Sequence, residues 1–256
     1  MPHAIRFQPA TPVRAYQAIV SQVEDAMRDG HLVPGDRLPS ERELMTQFAV
    51  GRSTVREALR VLESNGLTRS RPGDPRGAEI LAPTSEQLIG PLARLARTPS
   101  VGIGHLVQFL MMVEGWIYLI AADTATAADL QRMDEALGGL ERSVADGGQR
   151  FGDAARKLHA AVAEATGNHL VQWCGEAARE AATDLVADRL AHASDRNALM
   201  TASVGYRRRA LAAIRSGDGV TAARTVRMAL FAYYAEDIPE PERERLRRLA
   251  ESAGWS

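Results

Sequence analysis

The chain has 256 residues, 45% hydrophobic and 25% charged, with a net charge of −1. That is the balance of a soluble globular protein with room for one large domain or two ordinary ones. A near-neutral total demands no polyanionic partner, so a nucleic-acid surface has to be argued from where the charge sits. The single cysteine, Cys174, excludes an intrachain disulfide and a thiolate metal cluster and fits a reducing cytoplasm.

Residues 1–11 read as a flexible tail without the apolar stretch of a secretion signal. From Val13 to Arg28, Ile19, Val20, Val23 and Met27 recur at helical spacing. The run DGHLVPGDRLPS then breaks the chain, and Ser40 with Glu43 three residues on makes a capping box for a second helix whose core positions are Leu44 and Phe48. A third helix starts at Gly51, buries Val55, Ala58, Leu59 and Leu62, and ends at Asn65-Gly66. LTRSRPGDPRGAEIL has strand-like ends around a Pro/Gly-rich middle, which predicts a two-stranded hairpin. Residues 83–100 read as a linker with one short helix broken at Pro91.

After residue 100 alanine is frequent and aromatics are scarce, which favours packed helices. The spacing predicts helices over 102–123, 126–146, 149–166, 168–192, 196–216 and 218–236, with breaks at Asp146-Gly147-Gly148, Gly167-Asn168 and Gly217-Asp218-Gly219. The most apolar stretch, Val107 to Ala122, is interrupted by Glu114 and is short for a bilayer, so it reads as a buried helix and no membrane partner is expected. Residues 238–256 read as a charged C-terminal tail, frayed or helical. The fold class is therefore mostly α: a three-helix unit with a hairpin over residues 12–82, then an all-α bundle over 101–237.

The front of the third helix is the informative stretch. Helix, helix, tight turn, helix and hairpin is the order of a winged helix-turn-helix, in which the front of the third helix enters the major groove. Arg52, Ser53 and Arg56 share one side of the helix, with Thr54 beside them, and Val55, Ala58 and Leu62 share another. Arginine suits the O6/N7 edge of guanine, and Ser or Thr suits phosphates or bases. In the hairpin, Arg69, Arg71 and Arg76 are placed to reach the backbone or the next groove. From Arg52 to Arg76 six arginines face Glu57, Glu63 and Asp74, a surplus of 6 − 3 = +3 in a chain whose total is negative. A merely solvated helix face gives the same pattern, and charge alone does not choose between the two.

The motif does choose. PGDRLPSERELMTQFAVGRSTVREALRVLESNGLTRSRPG resembles the N-terminal domain of the GntR family of bacterial transcription regulators over residues 13–81. By position the resemblance implies DNA contacts from Arg42, Arg52, Ser53 and Arg56, with Gly73 at the wing tip. The chain departs from the family at Gly51, where serine or threonine is usual, and in its proline-rich wing. The helical half resembles the FCD domain of the FadR subfamily over residues 101–236, anchored by Glu114 with Ala121-Ala122, by LHAAVAEATGNHLV and by ALAAIRSGDGVTAARTVRMAL. Many such domains hold a divalent metal with one acid and three histidines. Here only His159 is kept; the other three positions hold Ala155, Arg207 and Ala229, and no bound metal or other cofactor is expected. His159 reads either as a satisfied core histidine or, with Arg207, as the lining of a pocket for a carboxylate or an acyl-coenzyme A-like effector.

The implied protein is a homodimeric repressor that reads a pseudo-palindromic double-stranded operator and answers to a small-molecule effector. Two rivals stand beside it. One is a metal-dependent enzyme using His159, Asp153 and His169, for which no nucleophile–base pair stands out. The other is a ligand sensor without DNA binding.

Overall fold

Breaker residues and caps divide the chain where its helices end, and a computed structural model describes residues 14–71, 74, 76–98, 100–183 and 195–252. The chain divides between Gln87 and Leu88 into two compact units. The first holds α1 (Arg14–Arg28), α2 (Glu41–Phe48), α3 (Arg52–Ser64) and the strands β1 (Thr68–Arg69) and β2 (Glu79–Ile80). The strands pair antiparallel, Thr68 opposite Ile80 and Arg69 opposite Glu79. Ile19, Val23, Leu38, Leu44, Val55, Ala58, Leu62 and Ile80 form the core between them. Each large aliphatic side chain buried there contributes about 1.5–3 kcal/mol, more than the roughly 1 kcal/mol of a helix cap. Packing therefore fixes the fold, and the caps fix where its helices start.

Both capping-box bonds form at α2: the Ser40 amide donates to Glu43 Oε2 at 2.8 Å and the Glu43 amide donates to Ser40 Oγ at 3.3 Å. Ala49 then takes a left-handed conformation, φ 51° and ψ 44°, and turns the chain into α3. Gly77 closes the wing against the segment before α2. Its φ is +83°, and a Cβ there would lie 1.9 Å from the Leu38 carbonyl oxygen, so only glycine fits.

Helix α4 (Glu86–Ala96) occupies most of the expected linker and runs through Pro91 instead of breaking there. The residue before the proline is Gly90, which has no Cβ to clash with the ring, and that removes much of the penalty that normally ends a helix one residue earlier. The second unit continues with α5 (Ile103–Thr124), α6 (Ala127–Ala145), α7 (Phe151–Glu164), α8 (His169–Ala181), α9 (Arg196–Arg215), α10 (Gly219–Tyr234), a 3-10 turn (Ala235–Asp237) and α11 (Glu242–Glu251). The expected extension of the 168–192 helix beyond Thr183 falls outside the described residues, as do residues 1–11 and Gly73.

Helix α5 runs through the middle of this unit and packs on α7, α8, α9, α10 and α11. It is long and apolar enough to cross a bilayer by composition, but Val107, Leu110, Met111, Ile117, Tyr118 and Ala121 are all buried among the other helices. Of the two forms open to the charged C-terminal stretch, frayed or helical, the chain takes the helix, α11, and docks it. Leu246 and Ala250 are each 0% exposed, in one cluster with Val107, Met111, Tyr234 and Ile238. Two buried positions one helical turn apart, Leu246 and Ala250, hold an otherwise charged element against the unit.

Candidate functional site

In the first unit, the buried stripe of α3 (Val55, Ala58, Leu62) turns its other face outward. Arg52, Ser53 and Arg56 are exposed and Thr54 is half-buried. Glu41, at the start of α2, gathers the two arginines: Arg52 Nε lies 3.2 Å from its Oε2 and Arg56 Nε 3.7 Å from its Oε1. Their side chains are still 71% and 57% exposed, so the pairs orient the guanidinium groups without hiding them. Gly51 starts α3 with no side-chain cap, which leaves the positive end of the helix dipole and its first amides open to an anion. Arg42 is exposed on α2, and Arg69 and Arg71 are exposed on the hairpin.

Arg76, expected beside them, is held by a carboxylate. Its Nε and Nη2 both donate to Asp74, at 2.8 Å each. Asp74 also accepts from Arg37 Nη1 at 3.2 Å, and Arg37 Nη1 lies 3.0 Å from the Gly77 carbonyl. The Arg76 hydrogen bonds hold the Asp74 carboxyl far below the usual carboxylate range. This knot fixes the base of the wing, with Arg76 oriented by Asp74 yet still 65% exposed beside Arg69 and Arg71. Neither Glu41 nor Asp74 stood out in the sequence, because each pairs across a turn and not along one helix face.

In the second unit a cavity of about 420 Å³ opens between α5, α7, α8, α9 and α10. It is lined at all four positions where the family resemblance places metal ligands: Ala155, His159, Arg207 and Ala229. His159 and Arg207 do come together. Arg207 Nη2 lies 3.1 Å from His159 Nε2, and because a guanidinium only donates, that ring nitrogen accepts and carries no proton. Arg207 Nη1 donates to the Ser203 carbonyl at 3.2 Å and also touches Ser203 Oγ.

Around His159 stand residues to which sequence reading gave no place in the site. Glu114, only 1% exposed, is ion-paired with Arg179, and its Oε2 lies 3.6 Å from His159 Nδ1. Tyr118 is fully buried beside them, and burial pushes its hydroxyl up to about 12. Burial, then Arg179 and Arg207, hold His159 well below its ordinary 6.5, so it is neutral. Burial lowers the Arg207 guanidinium and raises the Glu114 carboxyl. An acid inside the apolar run Val107 to Ala122 was the available signal for a buried partner; nothing local marked Arg179 as that partner.

This donor set does not fit a divalent metal. The coordinating nitrogen of His159 is taken by a cation, and alanines stand where two more ligands would. Nor do the residues of the enzyme reading converge. Asp153 is exposed and paired with Arg156, and His169 is exposed and stacked on Trp173, 5.9 Å between ring centroids.

Comparison with known proteins bears on both units. A model of bacterial regulatory proteins of the gntR family matches residues 15–76, and one of the FCD domain matches residues 105–232. The HTH-type transcriptional repressor NanR of Cronobacter sakazakii is 32% identical over 164 residues, covering 63% of this chain; the chain spans 62% of that relative's length. The repressor of the same name from Escherichia coli O1:K1 / APEC is 30% identical over 194 residues, 73% of each chain. Among solved structures, Streptococcus agalactiae GntR aligns over 85% of this chain and 97% of its own with a TM-score of 0.58 at 20% identity, a likeness of fold.

Proposed function

The chain belongs to the gntR family of bacterial regulatory proteins, with an FCD domain behind its winged helix-turn-helix, and from that premise we propose that it is a cytoplasmic, DNA-binding transcriptional repressor controlled by a small molecule. The family and the relatives are transcription regulators and not enzymes. One observation carries the DNA reading: Glu41 holds Arg52 and Arg56 side by side at the uncapped front of α3, with both guanidinium groups still exposed. Two charged forks ahead of an open helix N-terminus match the acceptors of a guanine edge and its neighbouring phosphate. Arg42, Ser53 and Thr54 add contacts around them, and Arg71 reaches from the wing; the family resemblance adds Gly73, which lies outside the described residues.

The control site is the cavity around His159 and Arg207, where an anionic effector binds and shifts the protein between states of different operator affinity. The protein acts as a homodimer on a pseudo-palindromic duplex. Its two copies meet through α5, whose exposed side carries His105, Gln108, Met112, Trp116 and Asp123 in one stripe.

The test is binding to a duplex selected from random sequence by the full chain. Arg52→Ala is expected to lose roughly 1–3 kcal/mol of specific affinity, about 5- to 150-fold, and to relax the preference at one base pair. Equal binding by mutant and wild type would reject the assignment of Arg52 as a base reader.

A further inference from the structure

The segment just before α2 supports two separate pieces of the first unit. Arg37 stands opposite Glu79 of β2, the Leu38 amide donates to the Ala78 carbonyl and the Ile80 amide donates to the Asp36 carbonyl, both at 2.8 Å. Gly77 packs against the Leu38 and Pro39 carbonyls. A little further along, Glu41 reaches the front of α3 and holds Arg52 and Arg56. The base of the hairpin and the front of the reading helix are therefore tied to one stretch of chain, 37–41.

Arg76, beside Gly77, is held as Arg52 and Arg56 are, but more firmly. Its Nε and Nη2 donate to the two Asp74 carboxylate oxygens at 2.8 Å each, and its amide donates to Oδ1 at 3.1 Å. Arg37 braces the acid from behind, its Nη1 donating to Asp74 Oδ2 at 3.2 Å and to the Gly77 carbonyl at 3.0 Å. The Asp74 side chain is 11% exposed and that of Arg76 is 65% exposed, so the support lies inside and the guanidinium outside. An exposed ion pair adds little to stability, but a bidentate one fixes direction. Arg69 and Arg71, on the same hairpin, have no acid partner among the described residues. They suit the phosphate backbone, where charge matters more than aim.

We infer that Arg76 is a base reader that selects A·T over G·C pairs in the minor groove beside the α3 contacts, and that Asp74, braced by Arg37, is the residue that positions it. This rests on the reading of the first unit as the DNA-binding unit and adds which groove and which base pairs its hairpin discriminates. With the front of α3 in the major groove, a hairpin tied to the same stretch lies across the adjoining backbone and over the neighbouring minor groove. Asp74 occupies the Nε–Nη2 edge of the guanidinium, which leaves the end-on pair Nη1 and Nη2, donors only. Every A·T pair, in either orientation, offers adenine N3 and thymine O2 as acceptors to such a pair, whereas guanine sets its N2 amino group, a donor, in the way. A·T tracts also narrow the groove and deepen its negative potential, which favours an arginine entering it.

The experiment uses the full chain and a duplex that it selects from random sequence. The α3 contacts are located by the base pair at which Arg52→Ala loses preference. The pairs flanking them are then made A·T, inosine·C, diaminopurine·T or G·C. The first two leave the minor groove bare and the last two place an amino group in it; the major-groove faces group the same pairs differently, A·T with diaminopurine·T and inosine·C with G·C. Wild type is expected to bind the A·T and inosine·C forms alike, about fivefold or more tighter than the other two. Arg76→Ala and Asp74→Asn should each make the four duplexes equivalent. They should differ in strength: Arg76→Ala loses a cation and with it part of the salt dependence, while Asp74→Asn loses a negative charge and should bind every form at least as tightly as wild type binds the G·C form.

Wild-type affinities that group by the major-groove face, or that do not differ, would overturn the inference. So would an Asp74→Asn variant that keeps the full minor-groove preference. Loss of amide protection across the β1–β2 pair in Asp74→Asn would make Asp74 a structural residue and overturn its positioning role. A chain that selects no duplex would sink the DNA reading and this inference together; a selected duplex with the Arg52 effect intact and indifferent flanks would sink this inference alone.

Discussion

Two residues show how little freedom the sites have. Gly77 sits where the wing base meets the segment before α2, at φ +83° with the Leu38 carbonyl oxygen 1.9 Å from where a Cβ would be. Gly77→Ala is expected to destabilise the wing by about 2 kcal/mol or more, combining left-handed strain with a clash against backbone. Amide exchange across the β1–β2 pair would speed up accordingly; unchanged protection would mean that the Leu38 backbone gives way. His159 is the second case. Burial, then the cations Arg179 from α8 and Arg207 from α9, keep it neutral well below its ordinary pKa of 6.5, against the pull of the Glu114 carboxylate 3.6 Å from its Nδ1. An unfolded histidine takes up a proton as pH falls through 6.5 and the folded one does not. Stability that is present above pH 6.5 is therefore lost below it, at up to about 1.4 kcal/mol per pH unit. Burial raises the Glu114 carboxyl above 4.5 and acts in the opposite sense, stability falling as pH rises through that range. The test therefore compares His159→Gln with wild type: the mutant's Tm should decline less between pH 6.5 and 5.5, and identical declines would show that His159 is not the group responsible.

At the scale of elements, the charged C-terminal helix gives the sharpest test. Helix α11 is dense in Glu and Arg, yet Leu246 is fully enclosed by the α5 and α10 side of the unit. Leu246→Ala should cost about 2–5 kcal/mol, the range for emptying a core leucine site, and a cost near zero would return α11 to the status of a frayed tail. Why the docking of this helix was illegible, and other features were not, comes down to what kind of signal each residue leaves. Ser40 with Glu43, the Asn65-Gly66 stop and the Asp146-Gly147-Gly148 break act on their own neighbours, so α2, α3 and α6 begin or end within a residue or two of where their sequence says. Pro91 misleads because its local rule depends on the residue before it, which is glycine here. Arg179 and Glu41 were missed because their partners lie 65 and 11 positions away, across other elements, and no local pattern reports that distance. His159 and Arg207 were found, but by resemblance; their hydrogen bond joins α7 to α9 across 48 positions. Residues that answer to their neighbours are readable from one sequence, and residues that answer to the tertiary structure are not.

At the scale of the whole molecule, the proposed function needs two copies. One winged helix contacts a few base pairs, and much of operator affinity comes from holding a second reading head at the effective concentration set by the first. The exposed stripe of α5 suits that purpose because it is complementary to itself. Met112 and Trp116 are 43% and 44% exposed, and 114 is the midpoint both of that pair and of His105 with Asp123. Two such helices laid antiparallel about that midpoint would place Met112 on the Trp116 of the second copy and His105 beside the second copy's Asp123, an apolar centre flanked by polar pairs. Trp116→Glu puts a carboxylate into the centre and repels its own copy. The expected outcome is a shift from dimer to monomer in sedimentation. Affinity for the full pseudo-palindrome should fall about 100-fold or more, while affinity for a single half-site stays near wild type. That pairing of results separates loss of the interface from damage to the reading head, since a misfolded winged helix would lose the half-site as well. A variant that sediments as a dimer would place the interface on another face of the helical unit.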